Sequence, residues 1–521
     1  MKGNEIVERF NALKSNRSTL DTVLQQIEEV VVPYRGEFYK DMSNEASVNW
    51  KRTGLYDNTA GISCNLLASQ MHGNLTSPVT KWFGLTFRDP DTKDDHAAVE
   101  WLEDAESKVW QTLQESNFDT AAPEMYLDIG GFGTSIVTME DVDDLTWKGV
   151  NFNTMPVMDT YFESDQDGMP FRIYRHLRYT LLELDDTFDL PKSMRPKNRE
   201  NTSVDQTEDV IFVIYKEPEN SEYQGKPMAP TLRPVQWRYV HKETGKILKK
   251  KGSKIAAGGY YDFPGMTIRW QKTAGSRWGY SPAMIMLADI RQLNTMQYMI
   301  DEAWAKAIDP PMMAEDTAVV GDLDNVPGGL TIVSTMDALK PLYPATAFNV
   351  GYEGIDRKQE SIRAGFFVDK LELKDSPQMT AYEVQVRYER MLRLLAPTLG
   401  RLKTDFLMPV VQGIFNRLLR MGQLDDLPES MVDAELDIEF TGPLPRALKG
   451  EIADGMERWL LGMSQQLEIN PESIDIVDFD QYNRTLAEQR GVPADSLKTQ
   501  DEVIAVREER AQQMKAQQEI A

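Results

Sequence analysis

The chain has 521 residues, of which 41% are hydrophobic, and a formal net charge of −25; this is enough for several buried cores. The acidic balance argues against a protein that holds nucleic-acid phosphates through a basic face. The single cysteine, Cys64, excludes an intramolecular disulfide and leaves no Cys/His cluster with zinc-ligand spacing. Met1–Phe10 lacks the apolar core of a secretory signal, and the most apolar stretch, Ser281–Ile308, carries too many charges for a membrane span. We therefore expect a globular protein that is soluble when made.

The N-terminal part of the chain favours helices. Amphipathic runs cover Asp21–Val31 and Leu55–Leu75. The second run stops at Thr76–Pro78, because a proline disfavours helical backbone at the residue before it. A strand is predicted around Trp82–Phe87, and helical spacing returns over Ala97–Gln114.

From Gly130 to about Gln271 the pattern becomes that of a β-rich block. Short runs such as TSIVTME, DVIFVIYKE, PVQWRYV and MTIRWQK alternate with Gly, Pro, Asn and Asp turns. Within this block, Leu181–Thr207 favours a loop with a short helix. GGFGTSIV lacks the third glycine of a dinucleotide loop, and DQDG at residues 165–168 lacks the later ligands of a calcium loop. Both are therefore expected to be turns.

A long helix is predicted from Ser281-Pro282, a good N-cap and first-turn pair, to the prolines after Ile308. Methionine and leucine occur on nearly every face of its first half, so the helix must be enclosed by a core or by neighbouring subunits. Asp309–Gly354 predicts a turn-rich strand segment, and Asp356–Leu371 predicts a second, shorter helix.

A third long helix follows the sequence KDSPQMTAYE at Lys374–Glu383, which ends in a capping-box spacing. Apolar residues recur at steps of three or four over Val384–Leu418. Pro397 and Pro409 lie inside this pattern and predict kinks rather than separate helices, because the apolar stripe stays in phase. The C-terminal region adds further helices, and Met421–Ala521 contains 22 acidic and 9 basic residues, a net charge of −13.

No catalytic constellation is evident, and we expect neither an enzyme activity nor a cofactor or metal. There is no P-loop motif. The basic run Lys246–Lys254 favours a solvated hairpin tip, with nucleic-acid or acidic-partner contact as the alternative. The four histidines are scattered: His72, His96, His176 and His241. One acidic cluster keeps open the alternative of an unrecognised metal-dependent nuclease or hydrolase: Asp141, Asp143 and Asp144.

Four blocks of the chain, in family order, resemble the head-to-tail connector, or portal, proteins of short-tailed bacteriophages. They are LYDNTAGISCNLLASQMHGNLTSPVTKWFGL at Leu55–Leu85, SRWGYSPAMIMLADIRQLNTMQ with the later KAIDPPMM, IRAGFFVDKLELKDSPQMTAYEVQVRYERMLRLLAPTLGRL, and FTGPLPRALKG at Phe440–Gly450. The stretch DSPQMTA is especially specific.

The resemblance implies an α+β, mainly α subunit of the portal type that assembles into a ring. The implied parts are a wing (1–280, β-rich from about 130), stem helix 1 (281–308), a clip (309–355), stem helix 2 (356–371), a tunnel loop (372–379), a wing spine helix and strand (380–441) and a C-terminal helical crown (442–521).

The implied function is a ring, usually of twelve subunits, at the portal vertex of the virion. Double-stranded DNA passes through the ring during packaging and ejection. The implied partners are the terminase large subunit, tail or adaptor proteins, and capsid and scaffolding proteins, with no membrane and with the host cytoplasm as the place of assembly. An acidic channel fits this role, because each phosphate neutralised by Lys or Arg would slow the DNA. A structural virion protein without a DNA channel remains an alternative.

The resemblance also implies which residues face the DNA. A loop joining stem helix 2 to the capped helix would project into the channel, where its cations are offset by acidic neighbours. The predicted channel residues are Lys370, Glu372, Lys374, Asp375, Ser376, Pro377 and Gln378.

Overall fold

A computed structural model describes residues 1–33, 35, 54–87, 96–142, 146–166, 168–191, 194–195, 206–218, 227–252, 256–314, 339–341, 348–368, 396–425, 436–439, 453–463, 477–490, 492, 497–498 and 502–510. The helices are α1 (Gly3–Val30), α2 (Thr59–Leu75), α3 (His96–Glu115), α4 (Phe118–Phe132), α5 (Leu181–Thr187), α6 (Pro282–Ile308), α7 (Phe348–Gly365), α8 (residues 396–420), α9 (residues 453–463), α10 (Phe479–Arg490) and α11 (residues 502–510).

The strands form antiparallel sheets. They are β1 (Gly84–Phe87), β2 (Thr134–Asp141), β3 (Val150–Met155), β4 (Thr160–Ser164), β5 (Pro170–Thr180), β6 (Thr207–Lys216), β7 (Val235–His241), β8 (Ile247–Leu248), β9 (Ala257–Tyr260), β10 (Gly265–Arg269), β11 (Met312–Ala314), β12 (Leu339–Pro341) and β13 (Leu436–Glu439). The larger sheet has the order β4-β5-β6-β7-β8, with β9 also paired to β7; the others are β10-β2-β3, β1-β13 and β11-β12. The predicted mixture of helices and strands is confirmed.

Helix α1 packs across one face of the larger sheet. Ile6 and Phe10 are fully buried against strand residues such as Tyr161 and Tyr174, and the rings of Phe10 and Tyr161 meet edge to face with 5.1 Å between centroids. Arg17, further along the helix, is also buried. Its guanidinium donates to the carbonyl oxygens of residues 157, 158 and 160. These bonds satisfy the backbone acceptors beside β4, the edge strand of the sheet.

One large hydrophobic core joins helices α1 to α4 and α6 to α8 with the β10-β2-β3 sheet. It contains Leu67 of α2, Val109 of α3, Ile129 of α4, Leu293 of α6 and Ile362 of α7, together with residues of β2, β3 and β10. Helices α6 and α7 are therefore anchored in the same core as the N-terminal helices. The predicted elements at Leu55–Leu75, Trp82–Phe87 and Ala97–Gln114 are confirmed as α2, β1 and α3.

Helix α8 passes Pro409 without a break, as predicted. Residues Lys403–Leu407 form a π-helical turn just before this proline, and the α-helix resumes over Met408–Arg420. Because proline has no N–H to donate to the preceding turn, a wider turn is a common adjustment. The helix is held on β2 by Arg417, whose Nε lies 2.6 Å from Asp141 Oδ1 and whose Nη2 donates to Met139 O.

The two ligand-like motifs of the β-rich block are turns in the structure. Gly133, in GGFGTSIV, ends α4 with a left-handed φ of 76°. In DQDG, Gly168 also has positive φ, and Asp165 Oδ1 accepts from the backbone N–H of Met169 at 2.8 Å. The short helix predicted within Leu181–Thr207 is α5, opened by a capping box of Thr180 and Glu183.

The limits of α7 differ from the prediction. The helix covers Phe348–Gly365 rather than Asp356–Leu371, so the end of the predicted strand segment is helical. Gly351 and Gly354 suggest turns in the sequence, because glycine disfavours a helix interior by about 1 kcal/mol relative to alanine. In the structure both lie against α6, and this packing overrides local preference.

Candidate channel and subunit-contact site

Helices α6 and α7 form an antiparallel pair, named here the stem pair, that is rooted in the body of the protein. At the root, Ser281 is the predicted N-cap: its Oγ accepts from the N–H of Met284 at 3.0 Å and donates to Gly131 O at 2.7 Å. Substituting Ala for an N-cap Ser typically costs about 1 kcal/mol. The second bond links the helix start directly to α4.

The root of the stem pair also contains a close backbone crossing. A Cβ atom at Gly133 would lie 2.8 Å from Gly279 O and from Ser281 N, and one at Gly279 would overlap Gly133 O. Thr134 Oγ1 accepts from Gly279 N–H at 2.9 Å, and Gly133 O accepts from Trp270 N–H at 3.0 Å. Hydrogen bonds therefore fix the start of α6 to the end of α4. The two glycines have no side chains, and this allows the two backbones to come into direct contact.

Glycines on α7 allow it to lie close to α6. A Cβ at Gly365 would lie 2.5 Å from Met286 Cγ. At Gly354 it would lie 2.9 Å from Met296 Cε, and at Gly351 it would lie 3.0 Å from Ile300 Cδ1. The contacts at residues 351, 354 and 365 of α7 are made with residues 300, 296 and 286 of α6. The numbers rise along one helix and fall along the other, so these contacts set the antiparallel register over most of the length of the pair.

A polar contact supplements this packing. Asp289 of α6 accepts from Lys358 Nζ at 2.7 Å and from Ser361 Oγ at 3.3 Å, both on α7. The hydrogen bond from Lys358 holds the pKa of the Asp289 carboxyl below its usual value. Both side chains of the ion pair remain about one third exposed, so the pair contributes modestly to stability.

The far end of the stem pair carries a two-stranded hairpin-like element. Strands β11 and β12 pair antiparallel between Ile308 and Phe348, with Met313 opposite Lys340. This confirms strands in the predicted segment Asp309–Gly354, although its last residues, from Phe348, belong to α7. Nearby, the rings of Trp304 on α6 and Tyr352 on α7 lie 6.0 Å apart. This aromatic contact joins the two helices at the far end of the stem pair.

The side of α6 that points away from the core remains partly apolar. Ile285 is 61% exposed and Met299 is 60% exposed, and the two lie within about 40° of each other around an ideal helix. Leu293, about 80° from Ile285 and about 120° from Met299 around the helix, is buried. Within the described part of the chain, one face of this helix therefore lacks the enclosure that its composition predicts.

A short segment before α2, residues 54–58 and named here the strap, is fastened to the stem pair. Asn294 of α6 accepts from the N–H groups of Tyr56 and Asp57 at 2.7 and 3.2 Å and donates to Gly54 O at 2.8 Å. Gln359 of α7 donates to Asp57 Oδ2 at 2.8 Å. Sequence reasoning missed this contact, because one asparagine in an apolar helix has no recognisable pattern.

Three described residues, 366–368, follow α7 and precede the predicted tunnel loop at 372–379. Phe366 and Val368 are buried, and Phe367 has a left-handed φ of 61°, unusual for a residue with a side chain. Its ring lies 6.2 Å from that of Trp270. All predicted channel residues lie outside the described residues: Lys370, Glu372, Lys374, Asp375, Ser376, Pro377 and Gln378.

Several of the residues considered for metal or acid–base chemistry have structural partners. Asp141 pairs with Arg417, while Asp143 and Asp144 lie outside the described residues. His241 is buried between Glu208 and Thr244, and His176 contacts Asp209. Within the described part of the chain, no group of three or more His, Cys, Asp or Glu could hold a metal ion, and no described helix is long and apolar enough to cross a membrane.

Comparison with known proteins decides the family. The model of the family "Bacteriophage head to tail connecting protein" matches residues 3–497. The chain belongs to this family. Its members are structural proteins rather than enzymes. The resemblance seen in the sequence and the prediction that the protein is not an enzyme are both confirmed.

Two curated relatives cover nearly the whole length of this portal-family chain. The probable portal protein of Bordetella phage BPP-1 is 26% identical over 99% of this chain and 92% of its own length. The portal protein of Salmonella phage epsilon15 is 25% identical with the same coverages. Among solved structures, a chain from the neck of a native GTA particle matches 79% of this chain and 89% of its own length, at 11% identity and a TM-score of 0.39.

Proposed function

We propose that this portal-family protein forms a ring, usually of twelve subunits, at one vertex of a phage capsid. Double-stranded DNA passes through the ring during packaging and ejection. The proposal places the protein in the virion, with assembly in the host cytoplasm.

One observation supports the proposed ring most directly. Helix α6 is packed on one side against the chain's own core, yet Ile285 and Met299 on its other side are more than half exposed. Transferring apolar surface out of water contributes about 25 cal/mol per Å². Neighbouring copies of the stem pair would supply the missing cover.

The tunnel loop is the proposed DNA-facing element. The last described residue before it, Val368, lies near the root of the stem pair, because Gly365 at the end of α7 lies beside Met286 in the first turns of α6. Lys370 and Lys374 would meet the phosphates only transiently, since Glu372 and Asp375 offset their charge. The net charge of −25 favours a channel that guides DNA without holding it.

Further partners are assigned to the two ends of the ring. The β11-β12 element lies at the far end of the stem pair and is the proposed docking point for the terminase large subunit and for tail or adaptor proteins. Helices α9 to α11, in the acidic C-terminal region, would face the capsid interior as the crown. Capsid and scaffolding proteins would contact the wing.

A packaging experiment tests the proposal. Cells infected by a phage that lacks a functional copy of this chain should accumulate capsids without DNA, and the wild-type chain supplied in trans should restore filled capsids. Filled capsids in its absence would contradict the proposal. A magnesium-dependent nuclease assay on the purified protein separates the enzyme alternative, for which we expect no turnover.

A further inference from the structure

The strap and α6 together present a pair of exposed tyrosines. The rings of Tyr56 and Tyr298 lie 4.9 Å apart, although they are 43% and 40% exposed. Tyr298 Oη donates to Glu302 Oε1 at 2.9 Å, which fixes this ring on the helix surface. Two adjacent aromatic rings held at a surface are typical of a contact site, because tyrosine offers a large rigid area at low entropic cost.

The strap is held in place by the helix that it covers. Asn294 makes three hydrogen bonds to strap backbone, and Gln359 makes one to Asp57. Tyr298 lies four residues after Asn294, on the same side of α6. The asparagine therefore sets the position of Tyr56 beside Tyr298.

The charge around this site favours a second copy of the chain as its occupant. Each copy carries −25, so copies can approach closely only where local charge is low. Four exposed charged residues on α6 sum to zero: Arg291, Asp301, Glu302 and Lys306. Both signs are present among these four described residues, which carry no excess of cations to attract DNA phosphates.

We propose that the Tyr56–Tyr298 pair is a contact between neighbouring copies, and that Asn294 is the positioning residue that presents it. The pair adjoins the exposed face of α6 that contains Met299, so the contact extends the surface buried by the helix itself. This inference rests on the proposed ring. It adds that the strap, and not only the stem pair, takes part in the interface.

A cysteine probe tests the contact directly. The native Cys64 is fully buried, and burial raises the pKa of its thiol to about 12, so it does not compete for a maleimide. In Tyr56→Cys, the new thiol should react at least tenfold more slowly in rings than in monomers of the same variant. Leu232→Cys, on an exposed turn that is 58% accessible, is the matched control and should react equally in both. Equal rates for Tyr56→Cys would overturn the inference.

Assembly measurements provide a second test. Tyr56→Ala and Asn294→Ala should each raise the concentration at which half the protein is in rings by at least tenfold, with unchanged circular dichroism, while Leu232→Ala should not. Mass photometry over a dilution series gives this midpoint. Unchanged midpoints in both variants overturn the strap contact and leave the ring intact. If the wild-type chain forms no rings at all, the proposed function fails as well.

Discussion

Gly133 and Gly279 cross backbone to backbone at the root of the stem pair: a Cβ on Gly133 would lie 2.8 Å from Gly279 O. This crossing links the end of α4 to the segment that starts α6. The stem pair is therefore joined to the body of the protein at a site with no room for a side chain.

Alanine at this crossing should be strongly unfavourable. Gly279→Ala should lower the free energy of unfolding by about 1 to 3 kcal/mol or more, because the methyl group overlaps a backbone oxygen that cannot move away. Gly400→Ala is the matched control: it lies in α8 with nothing within 4 Å and should stabilise by up to about 1 kcal/mol. Denaturant unfolding followed by circular dichroism measures both. Equal effects would show that the crossing has room for a methyl group.

The glycines of α7 should differ in their tolerance. Gly365→Ala places a methyl group 2.5 Å from Met286 Cγ, close to the root of that side chain, and should destabilise by about 1 to 3 kcal/mol. Gly354→Ala meets only the terminal methyl of Met296 at 2.9 Å. That methyl can move, and the gain in helix propensity should make the change neutral or mildly stabilising. Thermal unfolding midpoints compare the two variants; the reverse order would contradict the stem-pair register.

The ion pair between Asp289 and Lys358 should give a small, pH-dependent contribution. A double-mutant cycle with Asp289→Asn and Lys358→Met should yield a coupling of about 0.2 to 1 kcal/mol at neutral pH. The pKa of Asp289 is lowered in the folded state, chiefly by the hydrogen bond from Lys358. The contribution is therefore present above the unfolded value of 3.8 and lost as pH falls through the lowered pKa.

The exposed pair Arg357–Glu353, which lies within α7 alone, is the control for that cycle. Its coupling should be about 0.3 to 0.5 kcal/mol and should not affect the contact between α6 and α7. A coupling of several kcal/mol for Asp289 and Lys358 would mean that the pair is buried by something beyond this chain.

The tunnel-loop proposal is tested by removing its cations. Replacing Lys370 and Lys374 with alanine should leave rings and empty capsids normal while reducing the DNA that is packaged or retained, because the loop loses its transient phosphate contacts. Lys251→Ala, in the turn that follows β8, should have no effect on packaging. Encapsidated DNA per particle is the measurement. Full genomes packaged and held at normal rates in the double variant would make the loop only a connector.

Much of this fold could be predicted where local signals and tertiary packing agree. Ser281-Pro282 marks the start of α6 because N-cap chemistry is local. Pro409 marks the position next to the π-helical turn of α8, because a missing N–H disturbs the hydrogen bonding of any helix. The start of α7 at Phe348 was not predictable, since Gly351 and Gly354 favour turns until α6 lies against them. The role of Asn294 was not predictable either, because its hydrogen-bond partners are in the strap, which is distant in sequence.

An image of the purified full-length protein tests the central proposal most directly. Single-particle electron microscopy should show closed rings with a central opening wide enough for a DNA duplex, built from many copies of the 59.4 kDa chain. Those rings should bury the outer face of α6, with Ile285 and Met299 between neighbouring subunits. A protein that remains monomeric at high concentration and moderate salt, or one that assembles without a central channel, would contradict the account.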